Sequence, residues 1–404
     1  MNRRLFLSLF GLASVGAMGF RLWPDEGIWN PCPDDRLPDG LKHHDLVAAA
    51  WEGLDSSKVW DVHTHLVGVG EGSSGIWVNP NMRSLSHPVQ FTQFQFYLNA
   101  SCYSQGLGVD AGYVDRLMRL HHDFRPGFRM VLLAFDYRYD VQGQVVRRDS
   151  AFYVPNEYAA AVRSAHPDAF EWVASIHPYR ADCVEALEWA VAHGARAVKW
   201  LPGAMGIDPS SKLCDRFFEA LRKHSIPLLT HAGEEQAVDV AGGHDLNNPL
   251  LLRYPLEQGV KVIVAHCASI GSSEDIERGG ARVESIELFA RLMAEPRYEG
   301  LLFGDVSAIT QINRDLKTIA MIFEREEWHP RLLNGSDYPL PGVMPLFSLQ
   351  RYVAAGWLQE AQARVLSQIR FYNPLLFDFL LKRSLVVNGK RLDGVVFESG
   401  RVLG

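Results

Sequence analysis

Cysteine is scarce in this 404-residue chain, and the few present are not spaced as pairs. Cys32, Cys102, Cys183, Cys214 and Cys267 are scattered, odd in number and free of any C-x-x-C, which argues against a disulfide scaffold. A basic surplus is missing too. The 40 Lys and Arg stand against 47 Asp and Glu, with no Arg/Lys-rich tail and no aromatic residues interleaved with basic ones. Nucleic-acid binding therefore has no support. Past the N-terminus, no segment reaches membrane-span length without charges. Internal repeats and low-complexity stretches are also lacking. What remains is an ordinary globular composition on a chain long enough to bury one large core.

The chain opens Asn2-Arg3-Arg4-Leu5-Phe6-Leu7-Ser8, followed by a weakly apolar stretch to Phe20. This resembles a twin-arginine export signal, with Asn2 and Ser8 as departures from its usual flanks. A general secretory signal is the alternative. Val15-Gly16-Ala17 and Ala17-Met18-Gly19 are imperfect cleavage sites, so residues 1–22 read as a cleaved signal peptide or as an anchor. The resemblance implies a periplasmic or otherwise exported protein. Residues 23–54 read as a Pro-, Asp- and Gly-rich linker and a short helix.

Residues 55–383 alternate between two patterns. Short β-branched and Leu-rich runs lie near 58–65, 129–136, 172–177, 195–200, 226–231, 260–266, 300–306 and 331–336. Helical periodicity fills the intervals, as with Val184, Leu187 and Val191, or with Leu213, Phe217 and Leu221. Eight buried parallel strands alternating with helices predict the α/β class and a (β/α)8 TIM barrel. Residues 66–127 are too long for a usual βα loop, and their Gly-rich and aromatic content predicts a lid. Residues 384–404 alternate around Gly389 and Gly394, predicting a short C-terminal β hairpin.

Six side chains that bind metals end these runs: His63 and His65, Lys199, His231, His266 and Asp337. Strand alternation predicts that Asp61, His63 and His65 point inward while Val62 and Thr64 face the helices. The same parity pairs Lys199 with Ala197, His231 with Leu229, His266 with Val264 and Asp337 with Gly335, all inward. Four histidines and a carboxylate converging on one barrel rim point to a divalent metal. His177, Arg180 and Glu234 are further candidates for touching substrate, with His244 in the wall, and Asp305 reads as orienting a loop or ligand. Cys267 is turned outward by parity and is assigned no chemistry.

The pattern resembles the amidohydrolase superfamily and, in its wording, the amidohydrolase-related family. The motifs are H-x-H with Asp61, His231-Ala232-Gly233, Ala265-His266, Phe303-Gly304-Asp305-Val306-Ser307, Gly335-Ser336-Asp337-Tyr338-Pro339 and Asn373-Pro374. That resemblance implies one ion on His63, His65 and Asp337, with His231 and His266 holding or facing a second. In binuclear members a lysine ending strand four is carboxylated and its carbamate bridges both ions. Lys199 occupies that place; its alternative is a lysine paired with a substrate carboxylate or with Glu234. The implied activity is hydrolysis of an amide, cyclic imide, lactone or ester of a small molecule by metal-activated water, with Zn2+ as the ion, one or two per chain, and Asp337 as proton acceptor. The alternative is non-oxidative decarboxylation of an aromatic or related acid by a mononuclear relative. Assembly as a homo-oligomer is left open.

Overall fold

The computed structural model of the protein describes residues 26–33, 36–238 and 242–404; Arg3, Arg4 and the signal read over 1–22 lie outside the described residues. Eight parallel barrel strands fall where the apolar runs predict them. They are β1 Trp60–His65, β2 Arg129–Leu133, β3 Phe170–Val173, β4 Val198–Trp200, β5 Leu228–Thr230, β6 Val262–Val264, β7 Leu302–Asp305 and β8 Leu332–Leu333. Ladders join β1-β2-β3 and β4-β5-β6-β7-β8 in chain order. Two seams complete the ring. Ala174 N–H donates to Ala197 O at 3.0 Å and Lys199 N–H to Ala174 O at 2.6 Å, linking β3 to β4. Val62 N–H donates to Asn334 O at 2.9 Å and Asp337 N–H to His63 O at 2.8 Å, linking the end of β8 to β1.

Inside the ring, Val62, Val131, Leu133, Val173, Ile263 and Leu333 form a filled core, joined by Leu403 from the C-terminus. The hairpin expected over residues 384–404 comes down to one antiparallel bridge, Val387–Lys390. Beyond it the chain forms two short helices, Gly394–Phe397 and Gly400–Leu403. Val396, Phe397 and Leu403 are buried there, and burial against the barrel outweighs the alternating pattern. Leu213 also departs from expectation. It is exposed on the 3-10 turn Lys212–Cys214, and the helix Asp215–Lys223 buries Phe217, Phe218 and Leu221 instead.

The segment after β1 supplies the helix Pro88–Ser101, whose side chains reach the loop that follows β5. Gln93 Nε2 donates to Gln236 O at 3.1 Å and the Tyr97 hydroxyl to Ala237 O at 2.7 Å. Cys102, at the end of that helix, forms a disulfide with Cys32, while Cys183, Cys214 and Cys267 are free and buried. The expectation against disulfides is thus corrected to a single cross-link. Its two cysteines are 70 residues apart and become neighbours only when Asn30 and Asn99 bond reciprocally beside them. Among the described residues no helix is long and apolar enough to cross a membrane.

Candidate metal centre

His63, His65, Lys199, His231, His266 and Asp337 all line one cavity at the C-terminal mouth of the strands. The route by which they converge differs from simple strand alternation. Ala197 and Leu229 lie in the inner core below Lys199 and His231, as parity requires. On β1, however, it is Val62 that enters the inner core. Asp61 is buried on the other side, accepting from the Ser336 N–H at 2.9 Å and feeling Lys382 of the outer helix Pro374–Ser384. A register irregularity between Asp61 and Thr64 then shifts the phase, and both histidines reach the mouth.

A similar correction applies on β6, whereas on β8 Leu333 is an inner residue, as the parity of Gly335 and Asp337 requires. Ile263 is the inner residue on β6, whereas Val264 packs in the outer layer. His266 is re-aimed by a run of left-handed residues, with φ of 54° at His266, 52° at Cys267 and 50° at Ala268. Such conformations cost roughly 1–3 kcal/mol each and persist only where surrounding contacts impose them. Here Asp305 imposes them, accepting the His266 N–H and the Ser307 N–H, each at 3.0 Å. Asp337 is likewise left-handed, with φ 62°. Gly335 lets β8 approach, since a Cβ there would lie 2.8 Å from the His63 Cβ.

The resulting geometry fits a divalent ion. One ligand atom each from His63, His65 and Asp337 lies within 4.8 Å of the others. His65 Nε2 stands 3.0 Å and His63 Nε2 3.6 Å from Asp337 Oδ1. Donors on one tetrahedral ion with bonds of about 2.0–2.1 Å stand roughly 3.4 Å apart, so these separations match a shared ion. Outer partners orient the rings. His63 Nδ1 donates to Asp305 Oδ2 at 2.9 Å, and His266 Nδ1 lies 2.8 Å from Ser307 Oγ. Those contacts favour the tautomer that leaves each Nε2 lone pair facing the cavity.

Burial disfavours the charged form of the His63, His231 and His266 rings. It pulls His63 and His231 below the ordinary histidine range and His266 down to about 3. Burial alone would raise Asp337 and Asp305, but the neighbouring histidines outweigh it and hold both well below the usual carboxylate range. Neutral imidazoles beside ionised carboxylates are the donor set a divalent cation needs. Lys199 is the exception. Its Nζ lies 3.2 Å from His63 Nε2, and burial lowers its pKa.

Asp305 links β1, β6 and β7 in this site. Replacing it with Asn is expected to weaken metal affinity about 10- to 100-fold, the usual cost of losing an orienting partner. Equilibrium dialysis against a competing chelator measures this directly. Undiminished affinity in Asp305→Asn would reduce Asp305 to a fold-stabilising residue.

The remaining candidates fall in different places. Glu234 lines the cavity, whereas His177, Arg180 and His244 are not among its lining residues. His177 Nε2 donates to Met205 O at 3.0 Å while its Nδ1 accepts the Tyr179 N–H at 3.2 Å. Arg180 is committed to Asp136 and Asp182. Two charged cavity residues were not singled out from the sequence. Glu235 Oε2 sits 3.2 Å from His231 Nε2, and Arg314 is buried in the loop after β7. Both lie in loops, where no periodicity marks which side chains turn inward.

Burial also depresses the His177 pKa, to about 3 from 6.5. The unfolded chain therefore binds this proton at higher pH than the folded one does. The stability that His177 contributes is complete above pH 6.5 and falls as acid approaches pH 3. About 2 kcal/mol should disappear between about pH 6.5 and pH 5 through this group. Urea unfolding across that interval should show a shallower pH slope in His177→Gln than in the parent chain; identical slopes would exclude His177 as the source.

A histidine and carboxylate cluster at the strand C-termini of a (β/α)8 barrel defines the TIM-barrel enzymes with a metal-binding rim. Within that class the chain belongs to the amidohydrolase family, whose model matches residues 60–343, from β1 through the turn after β8. No curated protein matches the chain in sequence. Similar solved structures include an uncharacterised TIM-barrel protein from Bordetella bronchiseptica, at 15% identity and TM-score 0.47, covering 77% of this chain and 98% of that one. A putative 2-pyrone-4,6-dicarboxylic acid hydrolase from Pseudomonas putida has 17% identity and TM-score 0.44, covering 80% and 97%. A 5-carboxyvanillate decarboxylase from Novosphingobium aromaticivorans, with bound manganese, has 12% identity and TM-score 0.44, covering 84% and 97%.

Proposed function

We propose that the protein is a metal-dependent hydrolase that adds water to an amide, cyclic imide, lactone or ester bond of a small molecule, with Zn2+ as its metal. The observation that carries this reading is the convergence of His63, His65 and Asp337, three ligand atoms within 4.8 Å at the mouth of a cavity. His266 and His231 stand beside them, with ring centroids 5.4 Å apart. A bound divalent ion supplies an acidified water and polarises the scissile oxygen. Asp337, held ionised among histidines, accepts the proton of the attacking water and returns it to the leaving group. Lys199 favours hydrolysis over decarboxylation, because its place at the end of β4 is that of the bridging lysine in binuclear hydrolases.

The test is turnover of the Zn2+-loaded protein on a panel of lactones, cyclic imides, anilides and aryl esters, with chelator-treated protein as control. Chelator-sensitive hydrolysis of one bond class is the expected result. Release of CO2 from aromatic acids with no hydrolysis of any panel member would overturn the proposal in favour of decarboxylation.

The protein is, on the same proposal, exported. Arg3 and Arg4 support this reading, and so does the Cys32–Cys102 disulfide, since disulfides persist in oxidising compartments. Replacing Arg3 and Arg4 together with Lys should leave the precursor in the cytoplasm, as fractionation and immunoblotting would show. Normal export of that variant would remove the twin-arginine route.

A further inference from the structure

We propose that Arg314 anchors an anionic group of the substrate, and that the substrate is a monoacid whose apolar body rests in the chamber beneath the helix Pro88–Ser101. This rests on the reading above only in taking the metal-lined cavity as the reaction site. Arg314 is 5% exposed and lines that cavity together with His63, His65 and Asp337. Its side-chain hydrogen-bond partners are all neutral. Nε donates to Ser269 Oγ at 3.4 Å, and Nη1 donates to Gln311 Oε1 at 2.9 Å and to Asn313 Oδ1 at 2.7 Å. Among the described residues Arg314 Nη2 has no protein acceptor, and no carboxylate lies within ion-pair distance. Buried Arg370 is different: it has Glu26 and the carbonyls of Pro341 and Val343.

Asp337, Glu235 and Asp305 act on Arg314 only from beyond ion-pair distance, so its buried guanidinium has no counter-charge in contact, and an arriving anion supplies one. The group keeps its proton at neutral pH, because burial lowers its pKa only to about 10. A side chain held by three neutral acceptors with one nitrogen spare is preorganised to bind a carboxylate.

The rest of the substrate is defined by the adjoining space. A second chamber shares His65, Phe152 and Asp337 with the metal cavity. Its walls include Ile76, Val78, Met82, Phe94, Val154 and Pro339. The Tyr97 hydroxyl is spent on Ala237 O. A second charge would be desolvated against hydrocarbon there, so the geometry selects one anionic head and an apolar body over a diacid.

Calorimetry with benzoate, benzamide and acetate on the full metal-loaded chain tests this without turnover, so a failed hydrolase reading leaves its result intact. Benzoate should bind the parent chain at least about 10-fold tighter than either benzamide or acetate. Arg314→Met should weaken benzoate about 10- to 100-fold and leave benzamide and metal content unchanged. Arg314→Lys retains charge without the planar fork and should fall between. It carries the test if thermal unfolding shows the Met variant to be misfolded. Removing the metal should preserve the dependence of benzoate binding on Arg314. Benzoate binding lost with the metal, indifferent to Arg314→Met, or absent from the parent chain would overturn the anchor. Acetate binding as tightly as benzoate would overturn the apolar chamber.

Discussion

Replacing His63 and His65 together with alanine is expected to produce a folded chain that no longer retains its metal. Both Nε2 atoms lie beside the same Asp337 oxygen, at 3.6 Å and 3.0 Å, as ligands of one ion would. Loss of one outer partner typically costs 10- to 100-fold in metal affinity, so loss of two direct ligands should cost roughly 1,000-fold or more. Metal content measured by elemental analysis should fall to background, and turnover with it. The fold should survive, because the layer of Val62, Val131, Leu133 and Ile263 lies beneath the rim and is untouched. Full metal occupancy in the double variant, with normal thermal unfolding, would sink the assignment of this site.

The second large effect is expected at Lys199. An ammonium about 4 Å from a dication would be repelled by roughly 8 kcal/mol at an effective dielectric of 20, enough to forbid the pair. Burial lowers the Lys199 pKa and so favours its neutral amine, the form that takes up CO2. We propose that the neutral amine adds to CO2 with release of a proton, which would leave Lys199 an anion with two oxygen donors in place of a repelled cation. On this proposal Lys199→Ala drops from two metals per chain toward one, with loss of most turnover. Added bicarbonate or acetate should restore part of the activity by supplying the missing oxygens. A parent chain with one metal, unchanged in content and turnover by Lys199→Ala, would make the site mononuclear and bring decarboxylation forward.

Much of this protein was determined by sequence acting locally. Continuous runs such as Val262-Ile263-Val264 are satisfied by burial on both faces, so eight of them with helices between specify a parallel α/β fold of barrel size. The residue that ends each run must then emerge at the mouth, and His63, His65, Lys199, His231, His266 and Asp337 all do so. Alternation was a sound guide where a strand stays regular, as at Ala197 and Leu229.

It failed where the backbone departs from period two. Val62 and Ile263 took the inner positions expected for Asp61 and Val264, because a bulge on β1 and a left-handed turn after β6 change the phase. Neither departure is encoded by its own segment. The turn at His266 is held by Asp305 on β7, 39 residues away, and the approach of Gly335 to His63 spans still more of the chain. Glu235 and Arg314 belong to the same category, and so does the pairing of Cys32 with Cys102. Loops have no periodicity to reveal which side chains turn inward, and a single disulfide has no spacing signature. Sequence alone determined which residues arrive at the rim; tertiary contacts decided how they are aimed and what stands beside them, because aim depends on hydrogen bonds between strands that only the closed barrel brings together.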